Sequence, residues 1–304
     1  MKNFYRFVIV LAFFILPFGG YGQYFYQKPY NQWIFGFGPS QALTDVGGSQ
    51  DIGTHFLKDW NWSAIRYAAE VGYRHYFKSN IAMRGTITGG MLYGNDALSA
   101  NDVRNNRNLN FRSPIGELTL TGEYYFYQSS HIGHRYHIQH AKGFKRYNWD
   151  AYVFGGIGGF FFNPQGKYTN GVWYNLAPLS TEGEGLPGGP SHYSQIALCV
   201  PAGLGVRLTI NPQFTIGLEI SDRIWTSTDY LDDAHNVYYD NATILKDKGP
   251  IAAYFADPSL GKISDQTVTG QERADSKHND NYFFTFITFT YQTSRFHKRT
   301  RSKF

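Results

Sequence analysis

The chain has 304 residues, with 28 Lys and Arg against 23 Asp and Glu, and a formal net charge of +5. A single cysteine, Cys199, excludes an internal disulfide and any chemistry that needs paired thiols. Beyond the N-terminal segment no stretch approaches the ~18 continuous apolar residues of a membrane helix, so membrane insertion would have to be by barrel.

The N-terminus reads as a secretory signal peptide. Lys2 and Arg6 precede an apolar run from Phe7 to Phe18, and Gly19-Gly20-Tyr21-Gly22 makes a small-residue exit. The expected organisation is a removed leader at 1–22, a barrel over 23–292 and a basic tail over 293–304. Gln23, not a cysteine, stands directly after the expected cleavage site, which excludes a lipoprotein anchor there.

After the leader the dominant signal has period two. Ile196, Leu198, Val200, Ala202, Leu204, Val206 and Leu208 alternate with residues that include Gly203, Gly205 and Arg207. Tyr67, Ala69, Val71 and Tyr73 alternate with Arg66, Glu70, Gly72 and Arg74. Such alternation marks β-strands. A polar face that keeps supplying arginine and glutamate suits a closed barrel with lipid outside and a charged, packed interior. The 18% aromatic content fits the interfacial girdles of such barrels.

Eight strands are expected, at 32–38, 65–77, 80–93, 114–128, 148–162, 195–209, 213–225 and 281–292. The fold class is therefore all-β, an eight-stranded antiparallel transmembrane barrel with long loops at one end. Strands 148–162 and 281–292 are apolar on both parities, so their facing stays open. Tight turns at 78–80 and 211–212 alternate with long connections at 39–64, 94–113, 163–194 and 226–280, the asymmetry of outer-membrane barrels. The connection 129–147 is long although it falls on the turn side. The four long outer loops carry seventeen acidic and ten basic side chains. The stub after the leader, the inner turns and the tail carry eleven basic and no acidic ones.

The polar parity holds Arg66, Glu70, Arg74, Arg84, Glu117, Glu123, Arg207, Glu219 and Arg223. An eight-stranded barrel is just wide enough for side chains to fill it, and unpaired buried charge is costly. These residues are expected to form an ion-paired plug, with a selective channel as the alternative. Leu204→Arg is expected to impair assembly by putting charge on the lipid face, and Gly203→Ala to be milder.

His131, His134, His137 and His140 have a spacing that could suit a metal. However, no carboxylate lies within 128–146, and Arg135, Lys142, Lys145 and Arg146 would repel a cation. The simpler reading is a basic loop which, with Arg295, Lys298, Arg299 and Arg301 of the tail, offers a docking face for an acidic partner. Asp229, Asp232 and Asp233 match no complete calcium loop, so Asx turns are expected there. No G-x-S-x-G, H-E-x-x-H or phosphate-loop motif is present, and Gly155 to Gly159 lies inside a strand. No catalytic, cofactor or metal residue is assigned.

Two stretches carry a family resemblance. One is Gly94-Asn-Asp-Ala-Leu-Ser99 followed by 104–113, with Asp96, Arg107, Asn108, Phe111 and Arg112, and then Ile115-Gly-Glu117. The other is Gly217-Leu-Glu219 and Arg223, leading into Thr228-Asp229-Tyr230-Leu-Asp232-Asp233. The combination resembles the PorG-type outer-membrane barrels of Bacteroidetes. Gly36 to Asp51 matches the early-loop pattern of that family poorly, Gly48 to Gly53 being only an echo of it, and Ala234-His-Asn also departs. The resemblance implies an integral outer-membrane protein with periplasmic termini, associated with the type IX secretion system. It also implies partners in a periplasmic ring of a lipoprotein and its companion, and no catalytic residue. A stand-alone porin, a surface binder and a lipid-modifying barrel enzyme are the alternatives. Outer-membrane lipid is an expected partner; nucleic acid and a small-molecule substrate are not.

Overall fold

The computed structural model describes residues 31–47, 62–99, 101–129, 148–210 and 213–293. The expected leader, the histidines of 131–140 and the basic residues Arg135, Lys142, Lys145, Arg146, Arg295, Lys298, Arg299 and Arg301 lie outside the described residues.

Eight long strands form the barrel: β1 (Asn31–Leu43), β2 (Arg66–Lys78), β3 (Ile81–Asn95), β4 (Asn110–Gln128), β5 (Asn148–Phe162), β8 (Ile196–Thr209), β9 (Phe214–Thr226) and β10 (Asn281–Thr293). Each pairs antiparallel with its neighbours in chain order, and β1 pairs with β10 to close the ring, Asn31 opposite Thr293 and Leu43 opposite Asn281. Closure matters physically because no strand is left with an unpaired edge in lipid.

Two expected boundaries move. The first strand runs on through Pro39 to Leu43 rather than ending at 38. The fourth begins at Asn110, because β3 and β4 stay paired up to Asn95 opposite Asn110, well past Pro114. Proline supplies no ladder N–H, yet the pairing tolerates it where its partner needs none. At Pro201 the tolerance takes the form of a bulge: β8 and β9 shift register between Val200 and Pro201, and Ile224 and Trp225 both point outward.

The outer face is apolar. Ile87, Leu118, Ile157, Leu198 and Leu204 are 61–69% exposed. A continuous band of this kind, unsupported in water, is the surface a lipid bilayer requires. Aromatic residues ring its turn-side border: Trp33 packs edge-on against Tyr73, Tyr127 stacks on Trp149, and Phe214 leans on Tyr291. No helix among the described residues is long and apolar enough to cross a membrane.

The structure settles the two ambiguous strands. In β5 the even residues Asp150, Tyr152, Phe154, Phe160 and Phe162 are buried, while Trp149, Val153, Ile157 and Phe161 are exposed. In β10 Tyr282, Phe284, Phe286, Thr288 and Thr290 are buried, while Ile287, Phe289 and Tyr291 face out. Both strands are apolar on each face because the lumen is lined by aromatic rings as well as charge.

The long loops fold over one mouth. Between β3 and β4 lie a 3-10 turn at Asp96–Leu98 and helix α1 (Asp102–Arg107). The short strands β6 (Gln165–Lys167) and β7 (Trp173–Asn175) form a hairpin that joins the protruding end of β4 through Gln165 opposite Arg112. Before β10 come α2 (Asn241–Lys248) and α3 (Pro250–Ala256).

Candidate functional site: a filled lumen beneath a folded cap

Period two delivers the arginines and carboxylates of the barrel to one closed interior. Arg74 Nε lies 2.6 Å from Glu123, and Arg84 bridges Glu123 at 3.2 Å and Glu219 at 2.7 Å. Arg74–Glu123 and Arg84–Glu219 join strands that are not neighbours, so both guanidinium groups reach across the lumen, while Arg84–Glu123 joins the paired strands β3 and β4. Arg223 reaches Glu117 in the same way, from β9 to β4, and lies over the Phe284 ring at 4.2 Å. Tyr282 donates to Glu117 at 2.6 Å and Tyr152 to Glu219 at 2.5 Å.

Toward the turn side, Tyr76, Tyr125, Tyr152 and Phe154 form an aromatic cluster. Tyr76 donates to Tyr125 at 2.7 Å, and Tyr125 donates to Glu123 at 2.8 Å. Arg207 stacks over Tyr125 at 4.5 Å. Small residues make the space for this filling: a Cβ at Gly36 would stand 2.5 Å from Glu70 Cγ.

The expected interior set needs two corrections and one addition. Arg66 does not join the network. It sits at the loop-side rim, its guanidinium 3.7 Å from the centre of the Tyr93 ring and donating to the carbonyls of Ser63 and Ile65. Parity puts it on the inward side, but it is the first residue of β2, where rim geometry and an aromatic neighbour decide. Glu70 is buried in the lumen yet makes no ion pair among the described residues, and its Oε1 has no hydrogen-bond partner there. Asp150 is the addition: it pairs with Arg207 at 2.8 Å. Its signal was hidden because β5 is apolar on both parities; the even register that carries Gly156 and Gly158 could have exposed it.

The loop residues of the two resembling stretches lie in the cap and tie its loops together, while Glu117, Glu219 and Arg223 belong to the lumen. Asp96 is a hub: Arg107 reaches it at 2.7 and 3.1 Å, and the backbone N–H groups of Gly47 and Leu109 donate to it at 2.8 and 3.1 Å. The same Arg107 donates to the carbonyls of Arg273 and Asp45, at 2.6 and 2.7 Å, which ties three loops together. Asn108 closes α1 in the left-handed region at φ 57°, a conformation asparagine tolerates. Phe111 is fully buried below, and Arg112 lies over Trp173 and donates to Gln165.

The aspartates of 229–233 are held mainly by neutral donors. Asp232 accepts from Val46 N at 2.9 Å and from Ala234 N at 3.0 Å, the second an Asx-type contact. Asp233 accepts from Thr181 at 2.6 Å and Tyr193 at 2.5 Å. Asp229 faces His235 Nδ1 at 2.6 Å. Glu182 pairs with Arg273 at 2.8 Å. Burial among so many carboxylates holds their protons on. Burial, then Asp45, raises Asp232 to about 7; burial, then Glu184, raises Asp233 to about 8. Burial, then Asp232 and Asp45, raises Asp229 to about 9.

The lumen is thus packed with paired charge and rings, and the mouth is covered. No family model matches this chain, and no curated protein matches it. Among solved structures, the attachment invasion locus protein Ail of Yersinia pestis, crystallised with the heparin analogue sucrose octasulfate, aligns at 8% identity and a TM-score of 0.37, over 88% of this chain and 99% of that one. Neisserial surface protein A aligns at 9% identity and a TM-score of 0.33, over 86% of this chain and 96% of that one.

Proposed function

We propose that this chain is a non-enzymatic outer-membrane barrel that serves a protein secretion machine of the type IX kind as an accessory and anchoring component. It docks periplasmic partners, a lipoprotein ring and its companion, through a basic inner face. The observation that carries the reading is the segregation of charge by rim. By register, Asn31, Lys78, Gln128, Asn148 and Thr293 all lie at one end of the barrel. The segments that hang from that end hold eleven basic and no acidic side chains, whereas the loops of the opposite end are net acidic. A like-signed face steers and orients an acidic partner. The filled lumen favours an anchor over a conduit, and the resemblance of 94–117 and 217–233 to the PorG-type barrels supplies the secretion machine.

Mild-detergent purification of the tagged barrel from outer membranes tests this reading. Periplasmic ring proteins should co-purify, and replacing Arg295, Lys298, Arg299 and Arg301 with serine should release them while the barrel stays folded. Recovery of the barrel alone, or unimpaired export of secreted cargo after deletion, overturns it. A stable open pore in planar bilayers overturns the anchor in favour of a porin.

A further inference from the structure

At the loop-side rim, where β8 begins and β9 ends, a cavity of about 270 Å³ opens beside the cap. Tyr193 and Tyr230 line it, their rings stacked 4.3 Å apart and 9° from parallel, and His235 closes the column against Tyr230 at 4.7 Å. Ile196 and Ala197 supply apolar wall on the barrel side. Asp229 supplies the polar end. It is 4% exposed, its Oδ2 is held by His235, and its Oδ1 has no hydrogen-bond partner among the described residues. A buried carboxylate oxygen left without a donor is costly, and a donor arriving in the cavity would relieve that cost.

The surroundings choose the sign of that donor. Among the described residues no lysine or arginine lines the cavity. The charged groups that raise Asp229 are acidic: Asp232 on its own loop, Asp45 after β1, Asp275 before β10 and Glu182 before β8, while His235 on its own loop is the titratable group in direct contact. The volume is below the ~300–1,000 Å³ of ordinary ligand pockets, so it suits one side-chain-sized group. Apolar and aromatic walls with a single acidic end fit a cation on an aliphatic stem.

We propose that this cavity is a binding site for a primary ammonium or guanidinium group carried on a short aliphatic stem, with Asp229 as its counter-ion and the Tyr193–Tyr230 column as its wall. The site is independent of the secretion role, since it lies at the opposite rim from the basic face. The same chemistry reaches the cell surface in two forms, as a free amine and as the basic side chain of a peptide. In the empty site burial and the surrounding carboxylates keep the Asp229 proton on, with the group titrating at about 9. A cation that binds the charged form therefore displaces that proton, and binding strengthens as pH rises toward 9.

The test is titration of the detergent-purified barrel with agmatine, with its uncharged analogue N-butylacetamide and with an arginine-containing tripeptide blocked at both ends. Agmatine should bind at least tenfold more tightly than the uncharged analogue, and more tightly at pH 8 than at pH 6. Asp229→Asn should reduce agmatine affinity at least tenfold, and Tyr230→Ala should weaken it where Tyr230→Phe does not. Folding of each variant is checked by its heat-modifiable mobility on gels, and the cap by the protease resistance of 226–280. Preference for the tripeptide identifies a protein side chain as the natural ligand; preference for agmatine identifies a free amine. Equal binding of the uncharged analogue, or full agmatine affinity in folded Asp229→Asn, overturns the site.

Discussion

The lumen and the cap are both rich in buried carboxylates, but they are stabilised in different ways. In the lumen Glu117, Glu123 and Glu219 each meet an arginine from across the barrel, and Asp150 meets Arg207 from the paired strand beside it. In the cap Asp232 and Asp233 rest on backbone N–H groups and hydroxyls, and few cations stand near them. The barrel wall explains the contrast. It brings residues far apart in sequence face to face in one enclosed space, where an unpaired buried charge is costly. The cap is built from long loops whose backbone N–H groups and hydroxyls converge on the carboxylates, so these work as turn and loop organisers.

The strongest way to break the lumen is to remove a shared cation. Arg84→Met leaves Glu123 without its second arginine and Glu219 without its ion pair, and removal of one partner from a buried pair costs about 3–5 kcal/mol. Urea unfolding in lipid vesicles should show a loss of that size. Arginine placed on the other side of the wall is the complementary experiment. Leu204→Arg puts charge on the lipid face and should cost about 2–4 kcal/mol, seen as reduced assembly and lost heat-modifiable mobility. Normal folding of that variant would mean β8 faces the other way.

Its neighbour gives the milder variant. A Cβ at Gly203 would stand 2.3 Å from the Ile220 carbonyl oxygen and 2.4 Å from the Phe154 ring. Gly203→Ala is therefore overpacked, at about 1–3 kcal/mol, measurable in the same urea series. In the cap, Arg107→Met should act locally. It frees the Asp96 hub, so hydrogen exchange should rise across 94–109 and 271–275 while the strands stay protected.

The smallest effect is set by pH. Asp232 and Asp233 titrate at about 7 and 8 in the fold, above their ordinary value of 3.8. The folded cap therefore binds more protons than the open one between those values. Its extra stability is present below about pH 4 and is lost as pH rises through 7–8. Protease clipping of 226–280 should increase between pH 6 and pH 9, with no change in the mobility of the barrel on gels. Clipping that falls with pH would reverse the assignment of these protons.

Much of this architecture was legible in the amino-acid order. Alternation such as Ile196 to Leu208 names a strand and its outward face without any partner, because side chains on a strand point alternately to opposite sides. The same alternation put Arg74, Arg84, Glu117, Glu123, Arg207, Glu219 and Arg223 on the inner face. Where alternation failed, in β5 and β10, aromatic rings occupied both faces, and Asp150 was missed with them. The motif residues Asp96, Arg107 and Asp232 could be singled out, but their work could not: they bind loops separated by up to 186 residues.

Local pattern thus sufficed for the strands, for the facing of those that alternate and for the sign of each rim, since each depends on a residue and its near neighbours. Which arginine meets which carboxylate depends on the closed ring, which sets β4 across from β9 and β3 across from β9. Which loops share Asp96, and what room Gly203 lacks, likewise depend on atoms brought together only once β1 has paired with β10.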